Sequence, residues 1–357
     1  MTEQIPDDPQ ASGATPEERP AVPEGGPTGR PLGPGIHPHA GSTDPGLQAP
    51  PGVDASTSAL EDIEREGLEF KARTQWQLAR RRFFRHKLAM ASLVVLFLIF
   101  LAALLAPHLT PYKFDQINLN DIGVGPTLVG RHFFGTDQLG RDYFTRVLYG
   151  IRTSARVALL VAVLSTFIGT VVGALAGYYR GWVDNLLMRF VDLLLTLPGL
   201  AILLTASALL GQGSPYRVGI ILALLFWTPL ARVVRGTFLS LREKEFVEAA
   251  RALGASDKRI MFRHMLPNSM GPIIVNATLV IAEAILIEAV LSFLGFGIQP
   301  PTPALGALIA DGETSMQTFW WLVTFPGLTI VAICLCVNFI GDGLRDALDP
   351  TQRRLRA

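Results

Sequence analysis

Along the chain, apolar runs of about twenty residues alternate with polar, turn-rich segments. The runs fall at 88–106, 155–178, 186–210, 218–238, 273–293 and 319–340. Each is long enough, as a helix, to cross ~30 Å of hydrocarbon. The pattern predicts an all-α, polytopic membrane protein with six transmembrane helices. Pro107 is expected to end the first. In the second, Gly169, Gly173 and Gly177 recur at every fourth position, leaving one face bare for close approach of a neighbour. Pro198-Gly199 should bend the third, and Pro229 lies inside the fourth.

The intervening segments set the predicted boundaries. Residues 1–79 form a tail, of which 1–58 is rich in Pro, Gly and Ala and too poor in large apolar residues to fold. The first span with its flanks covers 80–110, an extracytoplasmic loop 111–153, and a five-helix core 154–345. That core carries a basic loop at 239–270, and a short tail, 346–357, follows it. Arg80, Arg81, Arg82, Arg85 and Lys87 abut the first run and place its start in the cytoplasm. Both termini and the 239–270 loop are then cytoplasmic. The loop preceding the core also carries Lys113, Arg131, Arg141, Arg146 and Arg152. It is long and holds Asp115, Asp121, Asp137 and Asp142, and the positive-inside bias weakens for such loops. Residues 294–318 hold Asp311 and Glu313 but no Lys or Arg, as suits the outer side.

Composition agrees with a bilayer as solvent. Apolar residues make up 49% and charged residues 17%, against about a quarter charged in soluble domains. A net charge of +1 gives no reason to expect a nucleic-acid partner. The opening is polar and Pro-rich, without the basic and then apolar pattern of a signal peptide. Cys334 and Cys336, two apart in one run, read as packing residues. His37, His39, His86, His108, His132 and His264 lack metal-ligand spacing, so no metal or other cofactor is expected. No G-x-x-x-x-G-K-[ST] stretch occurs, so any ATP must be bound by a partner. Nucleophile-elbow and zincin motifs are likewise absent, and an enzyme is not expected.

Three groups of residues carry candidate chemistry. In the 239–270 loop, residues 243–253 read as an amphipathic helix with Phe246, Ala249, Ala250 and Leu253 on one face. Gly254 stands at a C-cap position that favours positive φ. Ser256 or Asp257 then caps a second short helix, through about Met265, which Pro267 should stop. Two short helices at an angle make a rigid knob suited to a partner's cleft. A loop that merely joins two spans fits the same pattern. A second group, Gly135-Thr136-Asp137 with Gly140-Arg141-Asp142 and Arg146, offers an Asx-type turn and a helix start, with Arg141 and Asp142 placed to pair. It reads as a brace for the outer vestibule or as a substrate contact. Third, Asp192, Glu283, Glu288 and Asn338 lie within apolar runs, where a lipid-facing charge costs roughly 2.5–3.5 kcal/mol. They should face the bundle interior, a partner subunit or water, in a functional or a structural role.

Glu248-Ala249-Ala250, Gly254 and Leu266-Pro267 resemble the EAA loop of ABC-importer permeases. His264, where the general pattern is aliphatic, resembles the peptide-importer branch. Three further stretches are similar to the dipeptide/oligopeptide permease family (DppC/OppC-type subunit): Phe134 to Asp137 with Gly140 to Ser154, Glu288 to Gly295 with Gln299 to Pro303, and Asn338 to Asp346 with Leu348 to Pro350. Together they span about residues 80–352, in family order. The resemblance implies that Glu248, Ala249, Ala250, Gly254, His264, Leu266 and Pro267 belong to a coupling loop seated on an ATPase subunit. It also implies a second homologous permease, two ATP-binding subunits and an extracytoplasmic substrate-binding protein, assembled in the cell's inner membrane. The implied cargo is di- and oligopeptides; relatives also carry nickel chelates, glutathione and oligosaccharides. Two other classes compete. A gradient-driven transporter predicts inverted repeats, which the halves do not show, and a scaffold would use the knob only for recruitment.

Overall fold

The computed structural model describes residues 75–211 and 213–348. Expectations for the N-terminal tail up to residue 74 and for the last residues of the C-terminal tail lie outside them. A basic helix, α1 (Gln75–Arg85), leads into α2 (Lys87–Leu104). At the junction His86 leaves helical geometry and its Nδ1 accepts the Ala89 N–H at 3.1 Å, capping α2. Pro107 does not end the span. Helix α2 stops at Leu104, and Pro107 sits in the first turn of a one-turn helix, α3 (Ala106–Leu109), where its missing N–H is not needed.

Helix α4 (Tyr143–Tyr179) is 37 residues long and starts twelve residues before the predicted span. Asp142 fixes that start: its carboxylate accepts the Thr145 N–H at 2.8 Å. The preceding loop therefore ends at residue 142. The glycine stripe lies against α8 (Thr228–Arg242). A Cβ on Gly169 would stand 2.7 Å from the Trp227 carbonyl, one on Gly177 2.6 Å from the Phe238 Cβ, and one on Gly173 would collide with the Ala231 carbonyl. Without those side chains the two backbones pack closely, which is how helices associate where lipid removes the hydrophobic drive.

The third predicted span is two helices, α5 (Gly181–Thr196) and α6 (Gly199–Leu210), meeting at 86°. Pro198 holds Leu197 extended (φ −78°, ψ 144°), so the chain turns instead of merely bending. The fourth is α7 (Pro215–Phe226) joined to α8 with a milder 41° bend; Pro229 falls in the first turn of α8, where it costs nothing. A short helix, α9 (Glu245–Ala252), precedes α10 (Asp257–Phe293). Here the expected stop at Pro267 is absent. The chain passes through a π-helical turn, Ile260–Met265, and Pro267 enters as the first turn of the straight portion, Leu266–Phe293. The second short helix predicted through about Met265 and the fifth span are thus one continuous element, separate from α9.

Within the stretch expected to be loop, α11 (Leu305–Glu313) folds back onto the core, with Leu305 and Leu308 fully buried. The last helix, α12 (Trp321–Leu348), runs eight residues beyond the predicted end of its span. Among the described residues the only strand-like contact is one bridge between Thr136 and Asp142. The main core gathers Val157, Val161, Leu222, Ile285 and Leu322 from α4, α7, α10 and α12. Phe97, Leu159 and Phe167 are left outward-facing, as a lipid solvent permits. The all-α, multi-pass architecture is as the pattern predicts: among the described residues, four unbroken apolar helices and two bent pairs.

Candidate functional site

Three polar arrangements stand out, and α4 separates the first two. Its 37 residues put about 55 Å between them.

At the Tyr143 end, Asp137 is the hub. Its Oδ1 accepts the N–H groups of Leu139 and Arg141, each at 2.9 Å. Its Oδ2 accepts from Arg141 Nε at 2.7 Å and Arg146 Nη1 at 2.6 Å. Arg141 therefore pairs with Asp137, not with Asp142 as expected. The turn at Gly140 (φ +69°) folds Arg141 back over the Asp137 carboxylate, and a Cβ there would collide with the Asn118 carbonyl. Asp142 is held by His132 Nδ1 at 2.9 Å and by the Thr145 cap. Gly135 (φ +75°) is also tight, since a Cβ would stand 2.7 Å from the Val124 carbonyl. Thr136 accepts the Val124 N–H at 2.9 Å, and its carbonyl accepts from Trp321 Nε1 at 3.1 Å. The Tyr143 hydroxyl reaches the carbonyls of Leu308 (3.0 Å) and Leu322 (2.6 Å), donating its one proton to either. Tyr112 stacks on His132, centroids 4.7 Å apart. Burial, and then the charges of Asp142 and Asp121, raise its phenol above the ordinary range. Nearly every polar group in this cluster closes onto its own chain.

At the Tyr179 end, α9 is anchored differently from the sequence expectation. Its fully buried residue is Val247, packed with Phe238, Ile260 and Met265. Ala250 is half-buried, whereas Phe246, Ala249 and Leu253, predicted to share an apolar face, point away from the body. Leu253 is 88% exposed. Glu248 is exposed and forms no ion pair among the described residues. Gly254 takes φ +77°, and the Ala255 N–H reaches back to the Ala250 carbonyl at 3.0 Å, closing the helix. No side chain of Ser256 caps α10; Asp257 instead accepts the Tyr178 hydroxyl at 2.6 Å. Arg242 donates to the Tyr178 carbonyl at 2.8 Å, and Arg180 pairs with Glu243 at 2.9 Å. His264 is half-buried, its carbonyl accepting from Asn268 at 2.6 Å; Leu266 is half-buried and Pro267 exposed. The result is a short helix on a fixed base with one face unoccupied.

Inside the apolar spans the predicted residues separate. Glu288 is fully buried and accepts hydrogen bonds from Ser154 and Ser292, both at 2.7 Å, tying α4 to α10. Asp192 pairs with Arg232 at 2.6 Å across α5 and α8, and both are about half exposed. Glu283 and Asn338 are exposed and share no bond with the other candidates. Sequence reasoning missed Arg232 and Arg235, although both fall within its own fourth span. It also missed Asp184, which accepts from Arg235 Nε at 2.5 Å and Nη2 at 2.7 Å. The signal was present, since cations inside a predicted span call for a named partner. Cys334 and Cys336 are buried free thiols. No cluster of His, Cys, Asp or Glu able to hold a metal occurs among the described residues.

Comparison with known proteins gives the chain a family. Residues 169–354 match the binding-protein-dependent transport system inner membrane component family, and residues 74–126 the N-terminal TM domain of oligopeptide transport permease C. The oligopeptide transport system permease protein OppC of Haemophilus influenzae is 42% identical, over 84% of this chain and 95% of that protein. The Escherichia coli K12 protein of the same name is 43% identical, over 84% and 98%. The dipeptide transport system permease protein DppC of Alkalihalophilus pseudofirmus is 40% identical, over 80% and 93%. Among solved structures, a chain of the MetNI methionine ABC transporter gives a TM-score of 0.47 at 17% identity, over 57% of this chain and 96% of that one. At this identity and coverage, the chain belongs to the inner-membrane permease family of binding-protein-dependent ABC transporters, in its dipeptide/oligopeptide branch.

Proposed function

We propose that this permease forms half of a translocation pathway for di- and oligopeptides and takes its motion from an ATPase subunit seated on α9 and the Gly254 turn. A second, homologous permease supplies the other half. Two ATP-binding subunits hold the nucleotide, and a substrate-binding protein delivers cargo at the opposite side. Both termini and the 239–270 loop lie in the cytoplasm, and the 111–142 and 294–318 loops lie outside. The observation that carries the reading is the unoccupied face of α9 above a rigid base: Val247 buried at 0% exposure, Phe246, Ala249 and Leu253 open. A lever needs this division, because force on a loosely held loop is lost in the loop. Named relatives that are oligopeptide and dipeptide permeases support the cargo.

The test uses vesicles bearing the complete assembly. Glu248→Arg reverses an exposed charge, and Gly254→Trp adds bulk at a position where an added Cβ meets nothing of this chain within 4 Å. The backbone strain at φ +77° is controlled by Gly254→Asn, which tolerates that region. Peptide uptake and peptide-stimulated ATP hydrolysis should fall at least about tenfold in the Arg and Trp variants, the loss of one good contact. Wild-type activity in both, with normal insertion, overturns the coupling role.

A further inference from the structure

The three ion pairs joining α8 and its flank to α5 and its flank differ in a telling way. Arg180–Glu243 sits at the helix ends, in reach of water. Asp184–Arg235 is bidentate and its carboxylate is largely buried, so its bonding capacity is spent on itself. Asp192–Arg232 is neither. Asp192 stands eleven residues into α5 from Gly181, and Arg232 ten residues before Arg242 at the end of α8. Both positions are about 15 Å along their helices, which, with the Gly181 and Arg242 ends set at the membrane surface, is half of a ~30 Å hydrocarbon layer. Yet their side chains remain 53% and 51% exposed.

Hydrocarbon does not solvate such a pair. Each ionised group costs roughly 2.5–3.5 kcal/mol at mid-depth, and pairing relieves only the part of the surface that is paired. The pair is also half used. Arg232 is bonded through Nη2 and Asp192 through Oδ1, leaving guanidinium donors and one carboxylate oxygen available. Arg189, one turn back from Asp192 on α5, is exposed and has no ion-pair partner among the described residues. The patch therefore carries an excess positive charge. Glu288 shows the contrast: at comparable apolar surroundings it is wholly enclosed and both its oxygens are occupied.

We infer that the Asp192–Arg232 pair lines the water-filled pathway at mid-depth and receives the charged ends of a passing peptide, Arg232 taking its carboxylate and Asp192 its ammonium. This rests on the peptide-permease reading and adds to it a contact inside the pathway. The pair opens, each member in turn exchanges its ionic partner for one end of the peptide, and it closes again behind the cargo.

Two measurements on the full assembly in vesicles test it. In a background with Cys334→Ala and Cys336→Ala, Asp192→Cys and Arg232→Cys are exposed to a membrane-impermeant cationic methanethiosulfonate. Labelling that peptide slows is expected; no labelling, with or without ATP, places the pair in lipid or a sealed subunit contact and overturns the inference. The second compares uptake of labelled trialanine with its N-acetylated and C-amidated forms. Asp192→Asn should raise KM about tenfold for the free and amidated peptides and leave the acetylated one unchanged, and Arg232→Gln should spare only the amidated one. Equal loss on all three, restored by the charge-swapped Asp192→Arg/Arg232→Asp pair, shows a brace and overturns the contact. Should the wild type import no peptide, the peptide reading falls, while the labelling still decides whether the pair faces water.

Discussion

The two ends of α4 are built to opposite plans. At the Tyr143 end, charged groups turn inward: Asp137, Arg146 and Asp142 are buried and bonded to their own chain. At the Tyr179 end, packing turns inward and polar and apolar groups alike turn out: Val247, Ile260 and Met265 are buried while Glu248, Phe246 and Leu253 stand exposed. A buried charge cluster is costly to disturb and leaves nothing to offer a partner. An exposed face on a fixed base costs little to alter and offers everything. Of the two roles open to the 135–146 group, brace or substrate contact, we propose the brace, since its charges are already spent on one another.

Asp137→Ala should break this comparison most severely. It strands Arg146 and Arg141 without their shared carboxylate, and removing one member of a buried pair costs about 3–5 kcal/mol. Detergent-solubilised protein should show a sharply lower unfolding temperature; an unchanged one would mean the cluster is not a brace. Next comes Gly173→Ala, which drives a methyl into the Ala231 carbonyl and should cost about 1–3 kcal/mol by forcing α4 and α8 apart. The same melt reads it, with Gly199→Ala, which meets no neighbour, as the comparison. Val247→Ala removes two buried methyl groups and should cost about 2 kcal/mol. Its signature is weaker ATP-coupled uptake together with lower stability. Leu253→Ser sits at the other extreme: its stability should change by no more than about 0.5 kcal/mol, because the side chain touches little. Uptake should nevertheless fall. A Leu253→Ser variant with normal uptake would remove the sharpest difference between the two ends.

Much of this arrangement is legible in the chain itself. Apolar runs locate the spans because hydrocarbon imposes a length and a composition, and the spacing of Gly169, Gly173 and Gly177 announces the seam with α8. Gly254 is readable for a local reason, since only the cap geometry is involved. What escapes is long-range or depends on two local preferences meeting. Arg141 lies beside Asp142 in sequence, but the Gly140 turn delivers it to Asp137. Pro267 has the usual marks of a helix stop, yet the wider turn before it removes the clash that would make it one. Arg232 and Arg235 find partners 40 and 51 residues away, and no local pattern names Asp192 or Asp184 as the match. Helix α11 carries Leu305, Leu308 and Ile309 at helical spacing, but the glycines and prolines around it mask that signal.

The π-helical turn at Ile260–Met265 has a rotational consequence. An α-helix advances about 100° per residue, and a π turn holds one residue more than an α turn in nearly the same rise. It therefore sets the azimuth at which the Asp257 end of α10 meets the straight portion beyond Leu266. Tyr178 holds the Asp257 end, and Ile260, in one core with Val247, fixes α9 at that bearing. Removing a single residue from this turn would swing the exposed face of α9 through roughly a quarter of a circle, with the composition of that face untouched. The turn works as the molecule's compass setting: it decides where the knob points, independently of what the knob is made of.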